Sequence, residues 1–323
     1  MGLSRILFFG TPDFAVPSLD RLLQSPYEVV GVVTQPDRPC GRGQRVTEGP
    51  VKRLALSRGI PVMQPERLRD EAFMERVKAL EADLGVVAAY GKILPEWLLG
   101  IPAHGFLNVH GSLLPRYRGA APVQRAVMAG DRQTGVSIMR VVKELDAGPV
   151  FAASACPIGP DDTADVVEHA LALLGAELLV RVVGELAAGR AQATPQDERS
   201  STYAPRLTKD EGVIDWDRPA QTIHNQVRGL HPWPHAFTFL DGSRYIILQT
   251  ALTGRPAGSE RGSGDVPQPG EILCAEADRL DVATGGGDAL RLVLIQPEGR
   301  RPMNSRDLLA GHRLRPGQVF RSA

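Results

Sequence analysis

Cysteine is scarce in this chain: Cys40, Cys156 and Cys274 are the only three in 323 residues, far apart and odd in number. That excludes a disulfide framework. No C-x-x-C or Cys/His spacing marks a zinc site either, so no metal is expected and a reducing, cytoplasmic setting fits best. An excess of either charge sign is also missing, with 37 Lys plus Arg against 37 Asp plus Glu. A broad surface for nucleic acid needs a basic field, so any such contact falls to local patches. No apolar run is long enough to span a bilayer, and no membrane partner is expected. The first apolar run, Ile6 to Phe9, is strand length and meets Gly10-Thr11-Pro12, which argues against a secretory leader. Internal repeats are absent. So is Gly-x-Gly-x-x-Gly, which leaves a dinucleotide-binding reading weak.

What is present is an ordinary globular composition, 43% hydrophobic and 23% charged, in a chain long enough for two domains. Arg5 to Phe9, Val29 to Thr34, Ile60 to Met63, Asp83 to Ala89 and Phe106 to His110 read as buried strands. Helices are expected from about Phe14, over Pro50 to Ser57, over Glu66 to Leu80 and over Val123 to Met128. Two further strands, Gly135 to Val142 and Val150 to Ile158, precede a long helix from Asp161 to about Leu186, stopped by Gly189. This repeated alternation predicts a doubly wound, parallel α/β sheet over residues 1–189. Residues 190–208 dissolve into Gln, Thr, Pro, Asp and Ser and read as a linker. Residues 209–323 carry short strands between turns, the pattern of a small β-barrel. The last stretch, 299–323, has six arginines against the single acid Asp307, a patch for phosphate or simply a solvated terminus.

The chain is organised around Phe106-Leu107-Asn108-Val109-His110-Gly111-Ser112-Leu113-Leu114-Pro115-Arg116-Tyr117-Arg118-Gly119-Ala120-Ala121-Pro122. Its apolar start breaks at Gly111 and Pro115, so the strand ends near His110. Residues two apart on a strand share a face, which sends Asn108 and His110 out together. In an open α/β sheet the carboxyl ends of the strands are where ligands bind. An isolated Asn or His in an apolar run is most often a satisfied core group. The Gly-, Pro- and Arg-rich loop that follows this pair shifts the reading towards a site. Further along, Asp146 sits in Leu-Asp-Ala-Gly-Pro, where an Asp is ordinarily a turn-former. It would reach His110 if adjacent strand ends converge.

A second candidate is Gln35-Pro36-Asp37-Arg38-Pro39-Cys40-Gly41-Arg42-Gly43-Gln44-Arg45, which has no apolar periodicity. It reads either as a solvated loop or as a basic finger that orders on a phosphate backbone. Ala89-Tyr90-Gly91 closes another strand, with a glycine that is either a plain turn or a close approach to a flat ligand.

The run from Asn108 to Gln124, with the opening Phe8 to Leu19, the Gln35–Gln44 loop and the Ala88–Pro95 segment, resembles the folate-dependent formyltransferases over nearly the whole chain. The Arg118–Pro122 extension is most similar to members that act on aminoacylated tRNA. Gly111 stands where that family often has Ala, and Tyr117 where it often has Trp. The resemblance implies a Rossmann-like catalytic domain and an OB-like second domain that binds tRNA. It implies 10-formyltetrahydrofolate as donor, held by Ser112, Leu113, Leu114 and Pro115, with Ala89, Tyr90, Gly91 and Ile93 lining the pterin pocket. It implies methionine on initiator tRNA as acceptor, with Arg38, Arg42 and Arg45 at the acceptor end, in a monomeric enzyme. Asn108, His110 and Asp146 match the catalytic set.

The residues suit that chemistry. Asn108 can donate to an oxyanion, a bond whose loss elsewhere costs on the order of 3 kcal/mol in barrier. His110 can donate or shuttle a proton, while Asp146 can orient it, stabilise its charge or hold a relaying water. No Ser or Cys sits in a nucleophile setting such as G-x-S-x-G, so direct amine attack through a tetrahedral intermediate is expected. A formyltransferase for a small amine, a sugar nucleotide or glycinamide ribotide, is the alternative. A non-catalytic nucleotide-binding regulator on the same scaffold is a third reading.

Overall fold

The computed structural model describes residues 2–40, 45–256 and 267–322, with backbone alone at 39, 40, 45, 46, 255 and 256. Two compact units form. One joins Met1–Pro122, Gln133–Pro157 and Glu168–Pro205, and the other joins Val123–Arg132, Ile158–Val167 and Arg206–Ala323. The units therefore interleave along the chain rather than dividing it once.

The first unit contains β1 (Arg5–Gly10), β2 (Glu28–Val33), β3 (Arg38–Cys40), β4 (Arg45–Thr47), β5 (Val62–Met63), β6 (Leu84–Ala88), β7 (Phe106–His110), β8 (Arg118–Gly119), β9 (Gln133–Arg140), β10 (Val150–Pro157) and β11 (Tyr203–Ala204). Its main sheet has seven strands in the order β10-β9-β7-β6-β1-β2-β5. The five from β7 to β5 run parallel. Their sequences are near-continuous apolar runs because both faces of a parallel sheet are covered. Leu7, Phe9, Tyr90 and Phe106 lie in the core on one side. Gly85 makes room there: a Cβ on it would come within 2.1 Å of the ring of Phe106, its partner in register.

β9 and β10 depart from the parallel expectation. Each pairs antiparallel with its neighbour. For β10 the reason is length: residues 141–149 are too few for the dozen or so that a parallel crossover takes. The expected helix from Glu66 begins instead at Glu71, because the Asp70 side chain accepts the N–H of Phe73 at 3.0 Å and caps it there. The stretch read as a linker is built in. Thr194 bridges Val150, and β11 pairs in parallel with β8.

The second unit contains β12 (Ala236–Leu240), β13 (Ser243–Pro256), β14 (Ile272–Glu276), β15 (Arg279–Ala283), β16 (Asp288–Pro297) and β17 (Met303–Asn304). They make one antiparallel sheet, ordered β12-β13-β16-β15-β14 with β17 on β16. The chain end completes it. Arg321 exchanges backbone hydrogen bonds with Phe239 of β12, while Phe320 and Gly317 donate to Gly270 and Ile272 at the start of β14. The chain end thus bonds to both edge strands, although among the described residues the sheet itself stays open rather than closing into the small barrel expected from sequence. Phe320 is 2% exposed and stacks on Trp216 with ring centroids 6.0 Å apart. Phe320 therefore belongs to the core, while all six arginines of the stretch stay exposed.

Among the described residues no helix is long and apolar enough to cross a membrane. No group of three or more His, Cys, Asp or Glu is placed to hold a metal ion there.

Candidate active site

Strand order in the first sheet reverses between β1 and β6, the kind of switch point where the carboxyl ends of parallel strands open a crevice. Ala88 of β6 pairs with Val109 of β7 and Gly10 of β1 pairs with Ala88, so three strands deliver their following loops to one edge. Asn108 and His110 leave β7 at this edge on a common face.

Asp146 joins them by a different route from the one the sequence suggested. β9 runs against β7, so its end at Arg140 lies beside Leu107, near the start of β7. Residues 141–149 must therefore double back towards the carboxyl edge. They do so with Asp146 in the left-handed region at φ 49°. Its Oδ1 lies 3.5 Å from Asn108 Nδ2 and its Oδ2 lies 3.7 Å from His110 Nδ1. The same Oδ2 accepts the backbone N–H of Gly119 at 2.9 Å.

His110 is 5% exposed, and its Nε2 is 2.9 Å from the carbonyl oxygen of Tyr117. A carbonyl only accepts, so Nε2 carries the hydrogen and the neutral ring presents a bare Nδ1 towards Asp146. Protonation at Nδ1 would then give an imidazolium facing a carboxylate. Asn108 spends one amide hydrogen towards Asp146 and keeps a second for a ligand oxygen. The three side chains thus provide a donor for a developing oxyanion beside a proton acceptor of fixed orientation.

The neighbouring loop residues divide into two groups. Ser112 is fully buried, and its hydroxyl donates to the carbonyl of Arg116 at 2.6 Å, so it shapes the loop from inside. Ser137 helps: its hydroxyl donates to Ser112 O at 2.7 Å and accepts Leu114 N–H at 3.2 Å. Leu114–Pro115 is cis. Leu113, Leu114 and Pro115 remain half-buried. On the β6 side, Tyr90 turns inward, 2% exposed and edge-on to Phe9, and its hydroxyl has no partner among the described residues. Burial pushes that phenol up to about 12. Ala89 and Gly91 are exposed with φ of 46° and 83°, and Ile93 is 79% exposed. Ala89, Gly91 and Ile93 thus leave backbone and apolar surface exposed, while Leu113 lies against Gly135 of β9.

The arginine loop starts from a fixed root. Lys52 and Gln64 both bind Asp37, and Gln64 also donates to the carbonyl of Gln35 at 2.9 Å. The Lys52 hydrogen bond holds the Asp37 carboxyl below its ordinary value. Arg38 follows directly and is exposed, opening a short antiparallel pair of β3 and β4. Arg42 and the side chain of Arg45 lie outside the described residues.

Sequence reasoning missed the backbone groups of the site. The Tyr117 carbonyl and the Gly119 N–H hold His110 and Asp146, but a main-chain donor or acceptor leaves no residue-type signature. A non-glycine at positive φ is the structural mark that remains, here Tyr117 at 60°.

Known proteins resemble this chain over nearly its whole length. A profile described as "Formyl transferase" matches residues 4–183, and one described as "Formyl transferase, C-terminal domain" matches residues 206–313. The methionyl-tRNA formyltransferase of Bacillus licheniformis is 44% identical over 315 residues, 98% of this chain and 97% of that one. That of Methylococcus capsulatus is 46% identical over 310 residues, 96% of this chain and 97% of its own. Among solved structures, the sugar 3N-formyl transferase WlaRD, in the presence of dTDP and 5-N-formyl-THF, has a TM-score of 0.65 at 16% identity, covering 93% of this chain and 100% of its own. The N-formyltransferase from Helicobacter canadensis, with folinic acid and dTDP-3-aminofucose, has a TM-score of 0.65 at 17% identity, over 90% and 98%. At that identity the last two speak for the fold alone.

Proposed function

The chain belongs to the formyl transferase family, and from that premise we propose that it transfers the formyl group of 10-formyltetrahydrofolate to the α-amino group of methionine on initiator tRNA. The observation that carries this reading is coverage. Relatives named methionyl-tRNA formyltransferase match at 44–46% identity across both the catalytic part and the C-terminal part.

The donor supplies an N-formyl carbonyl. The residues around the site fit such a group in kind, since Ile93, Leu113 and Leu114 are apolar and accessible at the rim while Ala89 and Gly91 open their backbone. An amine adding to that carbonyl leaves negative charge on its oxygen, where the free amide hydrogen of Asn108 donates. The amine must also shed a proton. His110 takes it at Nδ1, since Nε2 is committed to Tyr117, and Asp146 stabilises the resulting imidazolium. The imidazolium then returns that proton to the donor nitrogen as the tetrahedral intermediate collapses and the bond from the formyl carbon to that nitrogen breaks, releasing tetrahydrofolate and the formylated amine. No side chain becomes acylated, and no metal is called on.

In this reading the first unit, including residues up to Pro205, carries catalysis, and residues 209–323 receive tRNA. Arg38, Arg42 and Arg45 contact phosphates at its acceptor end. The enzyme works as a monomer in the cytoplasm, in translation initiation. The test is formylation of charged initiator tRNA with 10-formyltetrahydrofolate as donor. Formyl-methionyl product is expected, and its absence beside an active control overturns the proposal.

One alternative keeps the chemistry and changes the acceptor to a small amine, a sugar nucleotide or glycinamide ribotide. What favours it is that the catalytic groups alone do not specify the acceptor. Removing residues 38–45 separates the two: an enzyme for a small amine keeps its rate, whereas one for tRNA loses it.

A further inference from the structure

Asp146 lies in the left-handed region, at φ 49°, which few residues other than Gly, Asn and Asp adopt. Such a backbone still needs its carbonyls held in a fixed direction by the surroundings. The Gly119 N–H holds the side chain, and something else must hold the backbone. Within residues 141–149 the internal hydrogen bond is a long one, from Ala147 N–H to Glu144 O at 3.4 Å. The firm contacts to the backbone of Asp146 and Gly148 themselves come from a distant residue. Gln196 Nε2 donates to the carbonyl of Asp146 at 2.8 Å and to that of Gly148 at 2.7 Å.

The other end of the same amide is also occupied. Gln196 Oε1 accepts Arg118 Nε at 3.0 Å and Arg118 Nη2 at 2.9 Å. Arg118 is anchored in turn by Glu198, at 2.7 Å and 2.9 Å. Both amide hydrogens and both lone pairs of Gln196 are thus in use, which no other side chain of that length reproduces. Glu would set oxygen against two carbonyls, and Met would offer neither donor nor acceptor. Arg118 lies between Tyr117, whose carbonyl fixes His110, and Gly119, whose N–H fixes Asp146. One side chain therefore ties together the two strips of backbone that orient the site.

We infer that Gln196 is a positioning residue for formyl transfer, acting through Asp146 by holding its backbone in place. The claim rests on the catalytic reading of Asp146 given above. It predicts a loss in turnover rather than in binding, since Gln196 touches neither substrate. A displacement of about 1 Å at a reacting group costs up to roughly 100-fold in rate.

The test uses Gln196→Met, which keeps length and volume, with Gln196→Ala as a second variant, in the full-length protein. Expected are a kcat some 10- to 100-fold below wild type with KM for charged tRNA and for 10-formyltetrahydrofolate within about threefold. In an Asp146→Asn background the same change should cost less than about twofold, because the group it serves is gone. Amide hydrogen exchange at Gly119 should also quicken, a readout that needs no catalysis. Wild-type kcat, a loss confined to KM, or a full additive loss on top of Asp146→Asn would each overturn the inference. So would unchanged Gly119 exchange. If the wild type itself forms no formyl-methionyl-tRNA, the acceptor assignment falls, while Gly119 exchange still decides the role of Gln196.

Discussion

The Nε2–H of His110 donates to the backbone carbonyl of Tyr117 at 2.9 Å, and that bond decides which ring nitrogen is left for proton exchange. It also gives a way to separate catalysis from architecture. In His110→Gln the side-chain amide can still donate to the Tyr117 carbonyl, but nothing replaces Nδ1 as a base. The variant is expected to melt close to wild type and to lose roughly 100- to 10,000-fold in kcat. Single-turnover formylation beside a thermal melt checks both parts. More than a tenth of wild-type turnover would reduce His110 to a structural role.

Gly119 couples the β8–β11 pair to the site. Its φ of 118° is one that side chains rarely adopt, and a Cβ there would lie 2.6 Å from the carbonyl oxygen of Ala204. Gly119→Ala must therefore part β8 from β11 or shift the N–H that Asp146 accepts. A cost of about 1–3 kcal/mol in stability is expected, with kcat at least about tenfold down. Denaturant melts and steady-state kinetics would show it. Full turnover in a stable variant would uncouple the strand pair from Asp146.

How much of this was legible in the sequence depends on the kind of signal. Asn108 and His110 announce themselves because strand periodicity and the Gly111 break fix both their shared face and the strand end. Asp146 was legible through family resemblance, but the physical reason offered for it, converging ends of parallel strands, is not the one the fold uses. β9 runs the other way, and the loop must return. Gln196 was illegible. It lies in a polar stretch without apolar rhythm, and a side chain that binds backbone carbonyls looks like any solvated glutamine. At the C-terminus the six arginines are exposed, as a solvated stretch would be, but charge dominates the composition and hides Leu308 and Phe320, which pack in the core.

A pH dependence follows from His235 in the second unit. Burial holds its imidazole below the ordinary value, with His231 and Arg244 adding repulsion of the charged form. A group that binds its proton more readily when unfolded makes stability rise with pH. Its contribution is complete above about 6.5, the unfolded value, and is lost as pH falls through the lower folded value. His235 lies at φ 68°, which Asn tolerates, so His235→Asn removes the titration with little backbone cost. The difference between melting temperatures at pH 7.5 and pH 5.5 should narrow in that variant. An unchanged difference would assign the acid sensitivity to other groups.

The arginine loop yields the prediction that bears most on the acceptor. Asp37 is pinned by Lys52 and Gln64, so Arg38 leaves a fixed root, and the chain from there carries Arg42 and Arg45. The protein has no net charge to attract RNA from a distance, which leaves local contacts to provide the electrostatic part of binding. Each arginine on a phosphate displaces counterions and steepens the salt dependence of binding by about 0.7–0.9 in log–log slope. Replacing Arg38, Arg42 and Arg45 together by Ala should therefore flatten the slope for charged tRNA by roughly two to three. Donor binding should stay within about twofold if, as proposed, folate meets residues 89–93 and 112–115 and not this loop. Titrations across a range of salt give the slope directly, and fluorescence quenching follows the donor. An unchanged slope alongside weaker tRNA binding would mean that the arginines shape the loop without touching phosphate. An unchanged slope with full turnover would turn the case towards a small-amine acceptor.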